Sequence, residues 1–94
     1  MKYEILFIVR PDLEEKAIKD VFKKFETVLV DNGAKVLSSK EMGQKELAYE
    51  IKKHKSGYYF LINVESDVNA INEFDRLALI SEEVIRHLIV KLDK

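Results

Sequence analysis

Residues 2–9 read Lys-Tyr-Glu-Ile-Leu-Phe-Ile-Val, so a run of five apolar side chains closes this stretch. A strand with one face in water alternates apolar and polar residues, whereas a strand covered on both faces carries a continuous apolar run. Arg10-Pro11-Asp12 follows, and Pro11 has no N–H group to donate to a neighbouring strand. We therefore expect residues 2–9 to form a central strand that ends before Pro11. Its second face must then be covered by something.

The charge and composition of the chain narrow its class. Its 94 residues include sixteen Lys and Arg against seventeen Asp and Glu, and no cysteine. We expect one domain over residues 1–94, with neither a disulfide framework nor a thiolate metal site. The opening Met-Lys-Tyr-Glu is unlike a signal peptide, and no apolar run approaches the roughly 20 residues of a membrane helix. We therefore expect a cytoplasmic protein, and its balanced charge argues against nucleic-acid binding without a basic partner.

Two segments show the period of an amphipathic helix. The first follows Asp12, which we expect to cap it together with Glu15, and it ends at Asn32-Gly33. The second follows Ser66 or Asp67, both of which are favourable capping residues. The apolar positions are Leu13, Ala17, Ile18, Val21, Phe22, Phe25, Val28 and Leu29 in the first helix, and Val68, Ile71, Phe74, Leu77 and Ala78 in the second.

The segment between the first helix and residue 51 has strand character with one interruption. Residues 34–39 and 47–51 alternate, and Leu47, Tyr49 and Ile51 fall on one side of the second stretch. Gly43 lies in the polar segment between them. We interpret the whole as one long second strand, broken or bulged near Gly43, with a pair of shorter strands as the alternative.

The remaining strands complete a hairpin and the end of the chain. Residues 58–65 contain few polar side chains, which predicts a central strand, and the basic turn 52–57 joins it to the second strand. Ser81-Glu82-Glu83 is predicted to be a loop. Residues 84–92 are the predicted last strand, and Asp93-Lys94 ends the chain.

The predicted order is strand, helix, strand, strand, helix, strand. It is typical of the ferredoxin-like split βαβ fold, an α+β arrangement in which two helices cover one face of a four-stranded antiparallel sheet. The two central strands then present one set of side chains to the helices and another to the open side, where an apolar patch indicates a partner. The expected core set is Ile5, Phe7, Val9, Phe60, Ile62 and Val64, and the expected open set is Leu6, Ile8, Tyr59 and Leu61.

The charged residues suggest a binding surface rather than a catalytic site. Lys52-Lys53-His54-Lys55 is the densest positive cluster, and it is either a solvated hairpin tip or a contact for phosphates. His87 is either an ordinary strand residue or part of a basic strip with Arg86 and Lys91. Two histidines without cysteine make a poor metal site. No nucleophile, phosphate-loop or zinc signature is present, so we expect neither an enzyme nor a cofactor.

The sequence leaves two other functions open. RNA-recognition modules share this fold and stack bases on aromatic side chains of the central strands. Residues 57–63 fit such a module in part, but Tyr59 stands where a small residue is needed and Asn63 where an aromatic is needed. A stand-alone single-strand RNA-binding module is therefore one alternative. A dimeric ferredoxin-like ligand-binding protein, paired through its open sheet face, is the other.

Several short segments, spread in order over nearly the whole chain, are similar to segments of one known family. The most distinctive is Leu47-Ala48-Tyr49-Glu50-Ile51. The others are Lys2-Tyr3-Glu4, Arg10-Pro11-Asp12, Asn32-Gly33-Ala34-Lys35-Val36, Gly57-Tyr58-Tyr59, Asn63-Val64-Glu65, Glu73-Phe74-Asp75-Arg76-Leu77 and Val84-Ile85-Arg86-His87. Together they resemble the S6 family, the sixth protein of the bacterial small ribosomal subunit. One departure is Glu46, because members often have two basic residues before the Leu-Ala-Tyr motif.

This resemblance implies a structural constituent of the small ribosomal subunit, not an enzyme. It implies a heterodimer with the basic subunit protein S18, and binding of the pair to the central domain of the small-subunit rRNA during assembly. The rRNA contacts it implies are Lys2, Tyr3, Arg86 and Lys91. Charge alone adds Lys45, Lys52, Lys53, His54 and Lys55. Exposed apolar character on the sheet assigns Leu6, Ile8, Tyr49, Tyr59 and Leu61 to the interface with the protein partner.

Overall fold

The computed structural model describes residues 1–92, in which a layer of four strands and a layer of two helices follow the predicted order. Its elements are β1 (Lys2–Val9), α1 (Glu15–Asp31), β2 (Lys35–Ile51), β3 (His54–Glu65), α2 (Val68–Ile80) and β4 (Val84–Lys91). The four strands form one antiparallel sheet in the order β2-β3-β1-β4, so β1 and β3 are central. The ferredoxin-like α+β prediction is confirmed. The predicted end at Asp93-Lys94 lies outside the described residues.

The core lies between the sheet and the two helices and is built around Phe7. The ring centroid of Phe7 lies 5.2 Å from that of Phe60, 5.8 Å from those of Phe25 and Phe74, and 6.2 Å from that of Phe22. These residues come from two strands and both helices, so a single cluster joins the layers. Burying each ring contributes about 1.5–3 kcal/mol. All six side chains of the expected core set are buried, which confirms that assignment.

The helices begin and end by different means. Of the two predicted capping residues, Ser66 and Asp67, it is Asp67 that caps α2, because its carboxylate accepts from the backbone N–H groups of Asn69 and Ala70. The predicted cap of α1 by Asp12 is wrong: the N-cap is Glu14, which makes no side-chain cap bond. Arg10 competes for Asp12, donating to its carboxylate at 2.7 and 2.8 Å, and this hydrogen bond holds the pKa of Asp12 below its ordinary value.

The carboxyl end of α1 follows the prediction at Asn32-Gly33. Gly33 has φ +96°, its N–H donates to the carbonyl of Val30, and the N–H of Ala34 donates to that of Leu29. These two hydrogen bonds satisfy two of the last carbonyls of the helix and redirect the chain into β2. Among residues 1–92, neither helix has the length and apolar character needed to cross a membrane.

The β2–β3 hairpin is one long pair, longer than predicted. β2 runs unbroken from residue 35 to 51 and shifts register at Gly43, where φ is +83°, so the long, bulged strand is the correct alternative. The predicted turn 52–57 is too long, because Ile51 already pairs with His54. Lys52 and Lys53, with φ +48° and +69°, make the two-residue turn themselves.

A second irregularity lies near the tip of the hairpin. Glu46 pairs with Ser56 and Ile51 pairs with His54, so four residues of β2 oppose the single residue Lys55 of β3. The surplus residues are Leu47 to Glu50, which we call the 47–50 bulge. Bulges bend and twist a strand locally. The alternation predicted for this segment is therefore interrupted.

Gly57 lies where the hairpin passes β1, and its missing side chain permits a close approach. A Cβ atom built on Gly57 would overlap Cγ2 of Ile8 and would lie 3.3 Å from the carbonyl oxygen of Val9. Ile8 is β-branched and buried, so its methyl group has little freedom to move aside.

We expect Gly57→Ala to lower the free energy of unfolding by about 1–3 kcal/mol through overpacking against Ile8. Urea denaturation measures the change. The penalty should shrink in an Ile8→Ala background, because the overlapping methyl group is then absent. An equal penalty in both backgrounds would rule out this contact as the cause.

Candidate nucleic-acid and protein interface

The face of the sheet away from the helices carries two rows of paired side chains. Leu6 lies between Leu61 of β3 and Leu88 of β4, and Ile8 lies between Tyr59 and Arg86. Directly paired residues share a face in an antiparallel sheet, so these rows form one surface, which we call the open face. The open face comprises Leu6, Ile8, Tyr59, Leu61, Arg86, Leu88 and Val90.

The 47–50 bulge reaches the open face through Tyr49. An N–H of the Arg86 guanidinium donates to the Tyr49 hydroxyl, and the guanidinium carbon lies 5.9 Å from the centroid of the tyrosine ring. Residues of the bulge and of the open face together line a cleft, with Leu6 and Ile8 among its lining residues. Tyr49 itself remains 61% exposed. The hairpin tip and the sheet therefore form one continuous surface.

Ile8 departs from the sequence prediction. It lies on the predicted face, but only 4% of it is exposed, so we correct its assignment as an accessible partner contact. The physical reason is internal coverage: Gly57 lets the hairpin pack closely over Ile8, beside Ile85. Leu6, Tyr59 and Leu61 are half-buried and retain accessible surface, and Tyr49 is exposed.

Lys45 also reaches the open face. Its Nζ atom lies 6.0 Å from the centroid of the Tyr59 ring. Cations over aromatic faces gain about 0.5–1 kcal/mol at exposed sites. Lys45 and Arg86, predicted from the sequence only as charges, are thus held beside Tyr59 and Tyr49 on one surface. We call these four residues the cation–tyrosine cluster.

The hairpin tip presents three exposed lysines, Lys52, Lys53 and Lys55, which we call the basic tip. Two of them have positive φ, a conformation that disfavours residues with a Cβ atom and in which Asn-Gly is the usual choice. The geometry of the turn therefore does not explain why lysine occupies positions 52 and 53. His54 is half-buried, which reduces its value as a phosphate contact relative to its neighbours.

The other predicted rRNA contacts lie at the opposite end of the sheet. The N–H of Leu92 donates to the carbonyl of Lys2, and Lys91 pairs with Tyr3, whereas Arg86 pairs with Ile8. Lys2 lies six positions before Ile8 in β1, or about 20 Å along the strand. Lys2 and Lys91, both exposed, therefore lie at the end of the sheet away from the basic tip. They fall on opposite faces, because Lys91 pairs with Tyr3, which faces the helices, whereas Lys2 belongs to the alternating set of Leu6 and Ile8.

Tyr3 is the second correction. It was expected to contact rRNA, but it is 7% exposed and belongs to the hydrophobic core. Pairing explains this, because Tyr3 lies in the same alternating set as Ile5 and Phe7, which face the helices. Its hydroxyl points to the sulfur of Met1 at 3.7 Å. The side chain is consequently not available to RNA in this fold.

The last strand divides its basic residues between the two faces. Arg86 pairs with Ile8 on the open face, whereas His87 pairs with Phe7 on the helix side. Nε2 of His87 lies 2.7 Å from a carboxylate oxygen of Asp75, and the ring lies against Phe74. His87 is thus an ordinary packed residue and not part of a basic strip. Residues 1–92 contain no cluster of three or more metal-ligating side chains.

The sequence reasoning missed Leu88 and Val90, which are 54% and 40% exposed and extend the open face towards the edge of the sheet. Successive residues of any strand lie on opposite faces, but the β4 sequence has no clear apolar and polar alternation, so only the pairing of Leu6 with Leu88 shows which residues face the open side. The central strands, by contrast, offer one aromatic side chain to the open face, Tyr59, and this argues against a base-stacking platform of the RNA-recognition type.

The architecture defines the class of protein: a ferredoxin-like α+β domain with an apolar open sheet face beside a basic hairpin tip. Residues 2–91 match the family model described as Ribosomal protein S6. The chain therefore belongs to the ribosomal protein S6 family, a family of structural ribosomal proteins. Its structure is similar to the crystal structure of 30S ribosomal protein S6 from Thermotoga maritima, with a TM-score of 0.90 and 26% identity over 94% of this chain and 83% of that chain.

The conformation of the basic tip yields a stability prediction. We expect Lys53→Gly to raise the free energy of unfolding by about 0.5–1 kcal/mol, because glycine adopts positive φ without a Cβ penalty. The matched control is Lys55→Gly, which removes the same side chain from a strand position without positive φ and should lower stability. Urea denaturation measures the free energy of unfolding of both variants. A loss of stability in both would show that the positive φ at Lys53 does not strain the turn.

Proposed function

We propose that this protein is a structural constituent of the small ribosomal subunit that binds the central domain of small-subunit rRNA together with protein S18, and that it acts in subunit assembly. The observation that carries this proposal is the family match over residues 2–91. The similar fold of a 30S ribosomal protein supports it. We place the protein accordingly on ribosomes in the cytoplasm.

The need for a protein partner follows from charge and from the open face. The chain has a formal net charge of −1, so it neutralises few phosphates unaided. A basic partner seated on Leu6, Tyr59 and Leu61 removes apolar surface from water and adds the missing cations. Tyr49 and the half-buried tyrosine Tyr59 suit such an interface, because each offers a large ring with a polar tip.

The RNA contacts we propose are the cations beside that interface. The basic tip carries Lys52 and Lys53 at positions where the turn itself favours other residues, and local rules are commonly broken at functional sites. Lys45 and Arg86 lie next to it in the cation–tyrosine cluster. Lys2 and Lys91, at the other end of the sheet and on opposite faces, are separate candidate contacts. His54 is a weaker candidate because of its partial burial.

The assembly role is tested by co-sedimentation of the purified chain with small ribosomal subunits after a high-salt wash. We expect retention on the subunits, and we expect RNA affinity to rise sharply when the basic partner is added. Tight binding of the chain alone to unrelated RNA, insensitive to salt, would contradict the proposal, since phosphate contacts release counterions.

Arg86 provides the residue-level test. In the presence of the partner, Arg86→Ala should weaken RNA binding at every salt concentration and reduce the slope of log affinity against log salt by about one. The matched control is Arg76→Ala, because Arg76 is an exposed arginine on α2 that pairs with Glu73 on the helix side. Equal effects from both variants would remove Arg86 from the interface.

A further inference from the structure

Two of the three arginines in the chain bind a carboxylate of the chain itself. Nε and Nη2 of Arg10 donate to the two carboxylate oxygens of Asp12, at 2.7 and 2.8 Å. Nε and Nη2 of Arg76 donate to those of Glu73 in the same way, at 2.7 and 2.9 Å. The planar edge formed by Nε and Nη2, which we call the two-donor edge, is thus the edge through which these arginines bind a pair of anionic oxygens.

Arg86 differs from the other two arginines in the atom that it uses. Its Nη1 donates to the hydroxyl of Tyr49. Within residues 1–92, its Nε and Nη2 have no hydrogen-bond partner, and β4 carries no acidic side chain that could fill the two-donor edge. The side chain is exposed, so this edge is accessible to another molecule. Arg86 is therefore held by one nitrogen while its two-donor edge stays open.

The contact between Tyr49 and Arg86 spans the sheet. Tyr49 belongs to β2 and Arg86 to β4, which are opposite edge strands with β3 and β1 between them. Three strand spacings amount to about 14 Å. Tyr49 lies in the 47–50 bulge, outside regular pairing, and the centroid of its ring lies 5.9 Å from the guanidinium carbon. The ring and the hydroxyl together restrict the direction of the guanidinium more than either contact does alone.

We propose that Tyr49 is a positioning residue, which holds Arg86 so that Nε and Nη2 donate to the two non-bridging oxygens of one RNA phosphate. This inference rests on the proposed binding of rRNA, and it adds the group that is bound, the donor atoms and the residue that fixes them. An exposed arginine samples many rotamers. Fixing the side chain before RNA binds removes part of the entropic cost of ordering it.

The charges around the open edge favour a phosphate over a carboxylate of the protein partner. Ile8 lies between Tyr59 and Arg86 in one row across the sheet, and Nζ of Lys45 lies 6.0 Å from the centroid of the Tyr59 ring. Two cations therefore flank the same row, and the basic tip adds three more along the hairpin. An RNA strand carries one negative charge at each phosphate and can contact several of these cations, whereas the basic partner proposed above offers few carboxylates.

Side-chain NMR of the chain labelled with ¹⁵N-arginine tests the positioning in the absence of RNA. We expect the guanidinium signals of Arg86 to show slow rotation about the Cζ–Nη bonds. Tyr49→Phe keeps the ring and removes the hydroxyl, so it should make this rotation fast. Arg10 and Arg76 are internal controls, because both keep their carboxylate partners in the variant. Unchanged Arg86 signals in Tyr49→Phe would overturn the positioning role.

A double-mutant cycle in the presence of the basic partner tests the consequence for RNA binding. Tyr49→Phe should weaken RNA binding about three- to tenfold, the net loss of one hydrogen bond, and it should have no effect in an Arg86→Ala background. Arg86→Lys should also bind RNA less tightly than the unmodified chain, because an ammonium group keeps the charge but lacks the two-donor edge. Tyr58→Phe is the matched control and should bind RNA normally, since Tyr58 pairs with Val9 and faces the helices.

Three outcomes would overturn the inference, and they differ in what they leave of the proposed function. If Arg86→Ala weakens RNA binding and Tyr49→Phe does not, or if their losses add in the double variant, Tyr49 does not position Arg86 but the rRNA contact stands. If neither variant changes RNA binding, the rRNA contact at Arg86 fails as well. If both variants weaken binding of the basic partner without RNA by the same factors, the two-donor edge binds a carboxylate of that partner instead of a phosphate.

Discussion

Two helices can cover only one face of a four-stranded sheet, and the central strand of this sheet is apolar on both faces. That mismatch explains why one face of the sheet forms the core with the helices and the other remains only partly covered. Phe7 and its odd-numbered neighbours on β1 bind the strand to the helices through a cluster of phenylalanines. Leu6 on the same strand has no helix above it and remains half-buried. Burial on the open side must come from elsewhere, either from this chain or from another molecule.

The hairpin supplies part of that cover. β2 is far longer than β1, so its distal half and the first residues of β3 extend together beyond the end of β1. The 47–50 bulge, the turn at Lys52-Lys53 and the bare backbone at Gly57 together bring Tyr49 to Arg86 over Ile8. Each device departs from regular strand geometry. Together they place aromatic rings, cations and apolar side chains on one surface, which is the combination that a ribonucleoprotein interface uses.

Most of the fold was predictable because local pattern and tertiary packing agree. The bounds of β1, the Asp67 cap, the end of α1 at Gly33 and the six core residues all follow from period and from capping chemistry. Asp12 failed as a cap because Arg10 binds its carboxylate, a competition that no periodicity encodes. The short turn was missed because two lysines occupy positive φ where the sequence signal is normally Asn-Gly.

The candidate site was less predictable because its geometry depends on register. The sequence of β4 does not indicate which residues face the helices; the pairing of Leu6 with Leu88 places Arg86 on the open face and His87 on the helix side. Tyr3 and Ile8 failed for the same kind of reason: each is buried by residues distant in sequence. Charge alone identified Lys45, but its position over the Tyr59 ring required the folded hairpin.

The open face as the binding surface is tested most directly by amide and methyl chemical-shift mapping of the isotopically labelled chain, free and in complex with the basic partner and rRNA. We predict that the large changes fall on Leu6, Tyr59, Leu61 and the hairpin from Lys45 to Lys55. The exposed side of α1, around Lys16 and Lys23, should change little. Changes concentrated on the helices, with the open face unaffected, would contradict the central claim.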